Sequence, residues 1–72
     1  MKKLIIRDEY IKLGQALKAA DLVSDGAEAK TVIQSGQVKV NGEADARRGR
    51  KLRAGDVVFY GDRGFEIIGQ DG

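Results

Sequence analysis

The apolar residues of this 72-residue chain change their spacing once, near Gly36, and that change limits what it can fold into. Before it, Leu13, Ala16, Leu17 and Ala20 recur at i, i+3, i+4 and i+7, which sets them on one helical face. Ala29, Val32 and Ile33 form a second such face, suited to pack on the first. After Gly36, Val38 and Val40 alternate with Gln37 and Lys39, the period of a strand. Helices first and hairpin-joined strands afterwards predict an α+β domain, with two N-terminal helices packed on a small antiparallel sheet. Leu4-Ile5-Ile6, apolar and bounded by charge, adds a short strand at the N-terminus.

Local signals set the element ends. Asp25 can cap a helix running from Gly26 to Ser35, with Glu28 reaching back as in a capping box and Gly36 ending it. Gly14 weakens the first helix by about 1 kcal/mol relative to alanine, so that helix needs tertiary support. Asn41-Gly42 is a strong hairpin signal, because a type I′ turn needs positive φ at both central residues. Ala54-Gly55-Asp56 turns into a strand Val57-Val58-Phe59-Tyr60, and Gly61 to Gly64 turns back into Phe65-Glu66-Ile67-Ile68. Gly69 to Gly72 reads as a frayed tail. Leu13, Leu17, Val32, Ile33, Val38, Val40 and Val57 are the expected scaffold, with Phe59 and Phe65 as core or sheet-packing aromatics.

A chain of this length holds one core and forms one domain over 1–72. It has no cysteine and no histidine, which excludes thiol nucleophiles, Cys/His zinc sites, imidazole acid–base catalysis and Ser-His-Asp triads. No phosphate-loop, dinucleotide, zinc-protease or EF-hand motif is present, so no catalytic residue, cofactor or metal is expected. The apolar stretch after Met1-Lys2-Lys3 is three residues long, far short of a signal-peptide core. No segment approaches the roughly 18 apolar residues of a membrane span. A soluble cytoplasmic protein is the expectation.

Charge is concentrated. In Arg47-Arg48-Gly49-Arg50-Lys51-Leu52-Arg53, five of seven residues are basic, while the rest of the chain holds eight basic against eleven acidic residues. One segment therefore reverses the sign of a molecule that is otherwise −3, giving a net charge of +2. Arginine forks bind phosphate oxygens bidentately, and Gly49 lets the backbone come close. Lys12, Lys18, Lys30 and Lys39 can extend the patch if helix and loop meet. Few aromatics are available for base stacking, so a nucleic acid held through its backbone is favoured. An acidic protein partner and duplex DNA remain as alternatives to RNA, and a charged loop that is only solvated is the blandest reading.

The succession Lys12-Leu13-Gly14-Gln15-Ala16-Leu17, Glu28-Ala29-Lys30, Ile33, then Gly36-Gln37-Val38-Lys39-Val40-Asn41-Gly42 and Ala54-Gly55-Asp56-Val57-Val58 resembles the S4 RNA-binding domain. The resemblance covers about residues 10–60, and its most specific part is the Gly-x-Val-x-Val-Asn-Gly stretch. It implies the αL motif, two helices on a small sheet, and an RNA surface made by the helices and the adjoining loop. It also implies a stand-alone, non-enzymatic binder of structured RNA, ribosomal or transfer RNA, with the ribosomal subunit as the setting for the former. The residues expected to bind RNA are Arg47, Arg48, Arg50, Lys51 and Arg53 of the charged loop, with Lys12, Lys30 and Lys39 at positions the resemblance carries over. Two positions depart from the family pattern. Asp25-Gly26 stands where Ser-Arg is common, and Gly14 where an aspartate often follows the first-helix leucine.

Overall fold

The computed structural model describes residues 1–70. In chain order its elements are β1 (Lys2–Ile6), β2 (Ile11–Lys12), α1 (Leu13–Ala19), α2 (Gly26–Gln34), β3 (Val38–Val40), β4 (Glu43–Ala44), β5 (Lys51–Leu52), β6 (Val57–Tyr60) and β7 (Arg63–Gly69). Both helices pack on one face of a five-stranded sheet ordered β1-β7-β6-β3-β4. A separate two-stranded ribbon joins β2 to β5. Among the described residues, no helix is long and apolar enough to cross a membrane.

The helices end as their sequences dictate. At α2, Asp25 Oδ1 accepts the Glu28 N–H at 2.8 Å. The return arm differs from a strict capping box, because Glu28 Oε1 accepts from the Ser24 N–H, one residue before the cap. Gly36, at φ +83°, closes α2 by a Schellman pair in which its own N–H donates to Ile33 and that of Gln37 to Val32. The same pair ends α1, from Asp21 to Lys18 and from Leu22 to Leu17, with Asp21 at φ +63° in the place glycine usually takes. The Lys2 ammonium donates to the Ala20 carbonyl at 2.7 Å, setting a cation on the negative end of α1.

Strands β7, β6, β3 and β4 are antiparallel, as the hairpin signals require, with Asn41 at φ +52° and Gly42 at φ +87° turning β3 into β4. β1 instead lies parallel to β7, from Lys2 opposite Phe65 to Ile6 opposite Gly69. The sheet is therefore mixed. β1 has no hairpin partner of its own, and β7 comes to lie beside it only after the chain has passed through both helices and the hairpins. This pairing extends β7 to Gly69, and the Gln70 N–H donates to the Ile6 carbonyl at 2.9 Å. Gly69 and Gln70 are thus held rather than frayed, while the last two residues of the expected tail lie outside the described residues.

The core is shared by all layers. Leu13, Ala16 and Leu17 from α1 and Ala29, Val32 and Ile33 from α2 meet Val38, Val40, Val58, Phe65 and Ile67 of the sheet. Val58 rather than Val57 is the inward residue of β6, because Val58 pairs with Val40 and Phe65, both buried. Phe59 alternates outward and is 37% exposed, so of the two phenylalanines only Phe65 belongs to the core. Leu52 is fully buried and anchors the end of the basic segment into that core.

Candidate nucleic-acid interface

The basic segment is held as a shaped loop. Its backbone caps α1. Lys12, at the N-cap, makes no side-chain cap, and the first helical N–H groups are satisfied by the loop: Leu13 donates to the Arg50 carbonyl at 2.8 Å and Gly14 to the Arg48 carbonyl at 3.0 Å. This close approach explains Gly14. A Cβ there would lie 2.8 Å from Arg48 Cγ, so the absent side chain makes room for the arginine stem. The helix tolerates its glycine because the loop packs on it.

A single acid organises the arginines. Asp45 is buried, and its Oδ1 accepts from the Arg47 backbone N–H at 2.9 Å and from Arg47 Nε at 3.0 Å. Its Oδ2 accepts from Arg47 Nη2 at 2.8 Å and Arg50 Nη1 at 2.7 Å. The Arg47 guanidinium is the chief reason that the Asp45 carboxyl stays well below the usual carboxylate range. Burial opposes this, and Arg50 adds to the lowering. Asp56 plays a smaller part at the far end, accepting the Arg53 N–H and an Asn41 amide hydrogen. Burial raises its pKa, but those bonds and the nearby arginines outweigh it, leaving the net shift downward.

The other cations of the loop and of α1 form no ion pair among the described residues, although Arg53 lies near Asp56. Among the described residues the ion pairs are those of Arg47 and Arg50 with Asp45. Arg48 lies with Lys12, Gln15 and Lys18 around a shallow groove floored by Gly14 and Gly26, between α1, the start of α2 and the loop. In the β2–β5 ribbon Lys12 is directly opposite Lys51, so both project to the same side. The Tyr10 ring lies beside the ribbon under these cations, with Lys51 Nζ 4.8 Å and Arg53 Cζ 5.7 Å from its centroid. Like charges placed directly opposite destabilise a strand pair. A polyanion would relieve that repulsion.

The eight expected site residues thus separate into groups. Lys12, Arg48, Lys51 and Arg53 converge on the groove and ribbon. Arg47 and Arg50 clamp Asp45, although Arg47 remains 71% exposed and keeps an open side. Lys30 is exposed on α2, four residues after Gly26 and so on the same helical side as the groove floor. Lys39 is not part of this group. Val38 and Val40 face the helices, so Lys39 projects from the opposite face of the sheet.

Lys18, named above only as an extension of the patch, follows Gly14 by one turn and lines the groove. Two contributors were absent from the expected site. Asp45 shows as a lone acid two and five residues before arginines. Tyr10 carried no signal beyond its alternation with Lys12.

Comparison with known proteins agrees with this architecture. A family model described as the S4 domain matches residues 4–68. The chain is 47% identical over 64 residues to the Probable ribosome maturation protein RlbA of Bacillus subtilis (strain 168), covering 88% of this chain and 90% of that one. It is 32% identical over 59 residues to YbcJ of Escherichia coli (strain K12), covering 82% and 84%. The solution structure of E. coli YbcJ, described as revealing an αL motif involved in RNA-binding, superposes with a TM-score of 0.74 at 29% identity, over 94% of this chain and 87% of that one. Two helices on this sheet, with a family match from β1 to the end of β7, leave one conclusion: the chain belongs to the S4 domain family.

Proposed function

We propose that this protein is a non-enzymatic binder of structured RNA, ribosomal or transfer RNA, that grips phosphates with the groove and ribbon built around α1. The observation that carries the reading is the set of four cations, Lys12, Arg48, Lys51 and Arg53, with no carboxylate partner among the described residues and with two of them directly opposed across a strand pair. The relatives support RNA over other polyanions, since their names and descriptions speak of ribosome maturation and of RNA-binding. In this reading the protein works in the cytoplasm as one binding domain, near the ribosome. Arg47 and Lys30 flank the grip, and Arg50 holds the loop in shape.

The test is a salt titration of binding to structured RNAs and to duplex DNA. If the four free cations each neutralise one phosphate, the log–log salt slope is roughly −3 to −4. Changing Lys12, Arg48, Lys51 and Arg53 together to glutamine removes most of the affinity and flattens the slope. A folded wild-type protein that binds no RNA near physiological salt refutes the reading, and so does one that prefers duplex DNA.

A further inference from the structure

Lys39 leaves an observation that the groove does not absorb. On the sheet face away from the helices it stands directly opposite Phe59, an exposed aromatic residue of β6. On its other side Phe59 pairs with Gly64 of β7. A Cβ on Gly64 would lie 2.5 Å from Phe59 Cε1 and 2.6 Å from Cδ1, so the ring lies across the glycine backbone. One face of the ring is thereby covered by backbone, and Phe59 still counts among the exposed large apolar residues. Gln37, Lys39 and Tyr60 border a depression beside it. The Gln37 amide nitrogen donates to Ser35 Oγ, which leaves the side-chain carbonyl oxygen as an acceptor.

We infer that Phe59 and Lys39 form a second RNA contact, in which an unpaired base of a single-stranded segment stacks on the Phe59 ring and Lys39 pairs with its phosphate. A bare aromatic face beside a cation is what sequence-tolerant binding of single strands uses. A protein partner suits the patch less well, because lysine is depleted from the centres of protein interfaces, and here Lys39 stands opposite Phe59 in the ladder. No carboxylate pairs with Lys39 among the described residues. The inference rests on the RNA-binding reading above, and it supplies what the groove lacks, a surface that distinguishes unpaired from paired RNA.

The experiment compares two RNA hairpins, one blunt and one with a short single-stranded tail, against wild type, Phe59→Leu, Phe59→Tyr and Lys39→Gln. Phe59 is partly exposed, so the variants fold, and thermal melts check this. The tail is expected to tighten wild-type binding, and Phe59→Leu to remove that gain, roughly five- to hundredfold, as loss of one stacked base does. Phe59→Tyr keeps the gain, Lys39→Gln lowers it, and all variants bind the blunt hairpin like wild type. A short unpaired oligonucleotide, titrated separately, moves the Phe59 ring resonances upfield in NMR spectra.

A tail that adds nothing overturns the inference while leaving the groove intact. Equal weakening of both hairpins by Phe59→Leu overturns it as well. If neither hairpin binds but the oligonucleotide shifts the ring, the groove reading fails and the Phe59 site stands. If the ring resonances do not move, the site fails. A change in the sedimentation of the free protein on Phe59→Leu would mark the ring as an interface between copies and would also overturn it.

Discussion

Replacing Asp45 with asparagine tests how the basic loop is held. The carboxylate is buried and accepts four hydrogen bonds, three from Arg47 and one from Arg50. Asparagine keeps the shape and one acceptor oxygen, but it removes the charge and turns an NH2 group toward a guanidinium. A hydrogen bond to a charged group is worth about 1.5–3 kcal/mol. The four bonds share one carboxylate, and the Arg47 side chain is 71% exposed and can rehydrate, so they do not add. The expected loss is about 2 kcal/mol at neutral pH, which for a domain of this size lowers Tm by roughly 10 °C.

The pH dependence makes that prediction stricter. Asp45 has its folded pKa below the ordinary value of 3.8. Between the two values the unfolded chain binds a proton that the folded one does not, so stability falls as pH falls. The stabilisation is fully present above the unfolded pKa and is lost as pH drops through the folded one. Melts followed by circular dichroism from neutral pH downward should therefore show a gap between wild type and Asp45→Asn that is constant down to about pH 5 and narrows below it. Equal Tm values at neutral pH, or a gap that does not change with acid, would refute the clamp.

Two further substitutions separate stability from binding. Gly14→Ala should change stability by less than about 1 kcal/mol, because the helix-propensity gain is offset by pushing the Arg48 stem off its preferred rotamer. RNA affinity should fall in the same variant as Arg48 is displaced from the groove, and a full propensity gain with unchanged affinity in paired melts and titrations would contradict that placement. Asp21→Gly should stabilise the protein by roughly 0.5–1 kcal/mol, since glycine takes the left-handed cap of α1 without the Cβ strain, and a Tm that fails to rise would contradict it.

The helices and hairpins were legible because their signals are local. Asp25 and Gly36 bracket α2, and Asn41-Gly42 fixes the β3–β4 turn, each by chemistry within a few residues. The parallel pairing of β1 with β7 was not legible, since it joins residues more than sixty positions apart with no turn to announce it. The ribbon escaped for a different reason: two residues on each side are too few to show alternation. In the site, the positions of the cations were legible and their division of labour was not. Whether an arginine meets phosphate or a neighbouring carboxylate depends on where Asp45 points. The docking of the loop on α1 runs through backbone carbonyls, which every sequence has, and Gly14 was its only side-chain trace. Charge and the family resemblance grouped Lys39 with the loop, although the Val38/Val40 alternation already set it on the sheet face away from the helices.

This division of labour answers a physical problem. Five cations in seven residues repel one another, and a loop left to that repulsion would swing open and present no fixed geometry. Asp45 neutralises the interior of the loop, while the bonds from Leu13 and Gly14 tie its carbonyls to the rigid start of α1. Leu52 buries the far end. What stays uncompensated is confined to the outer rim, where Lys12 faces Lys51 and Tyr10 supports Lys51 and Arg53. The fold therefore stabilises the frame of the site and leaves its surface electrostatically unsatisfied. In the proposed reading a chain of phosphates along that rim relieves the repulsion, and because the loop backbone that carries the cations is already tied down, little of the interaction energy is lost to shaping it.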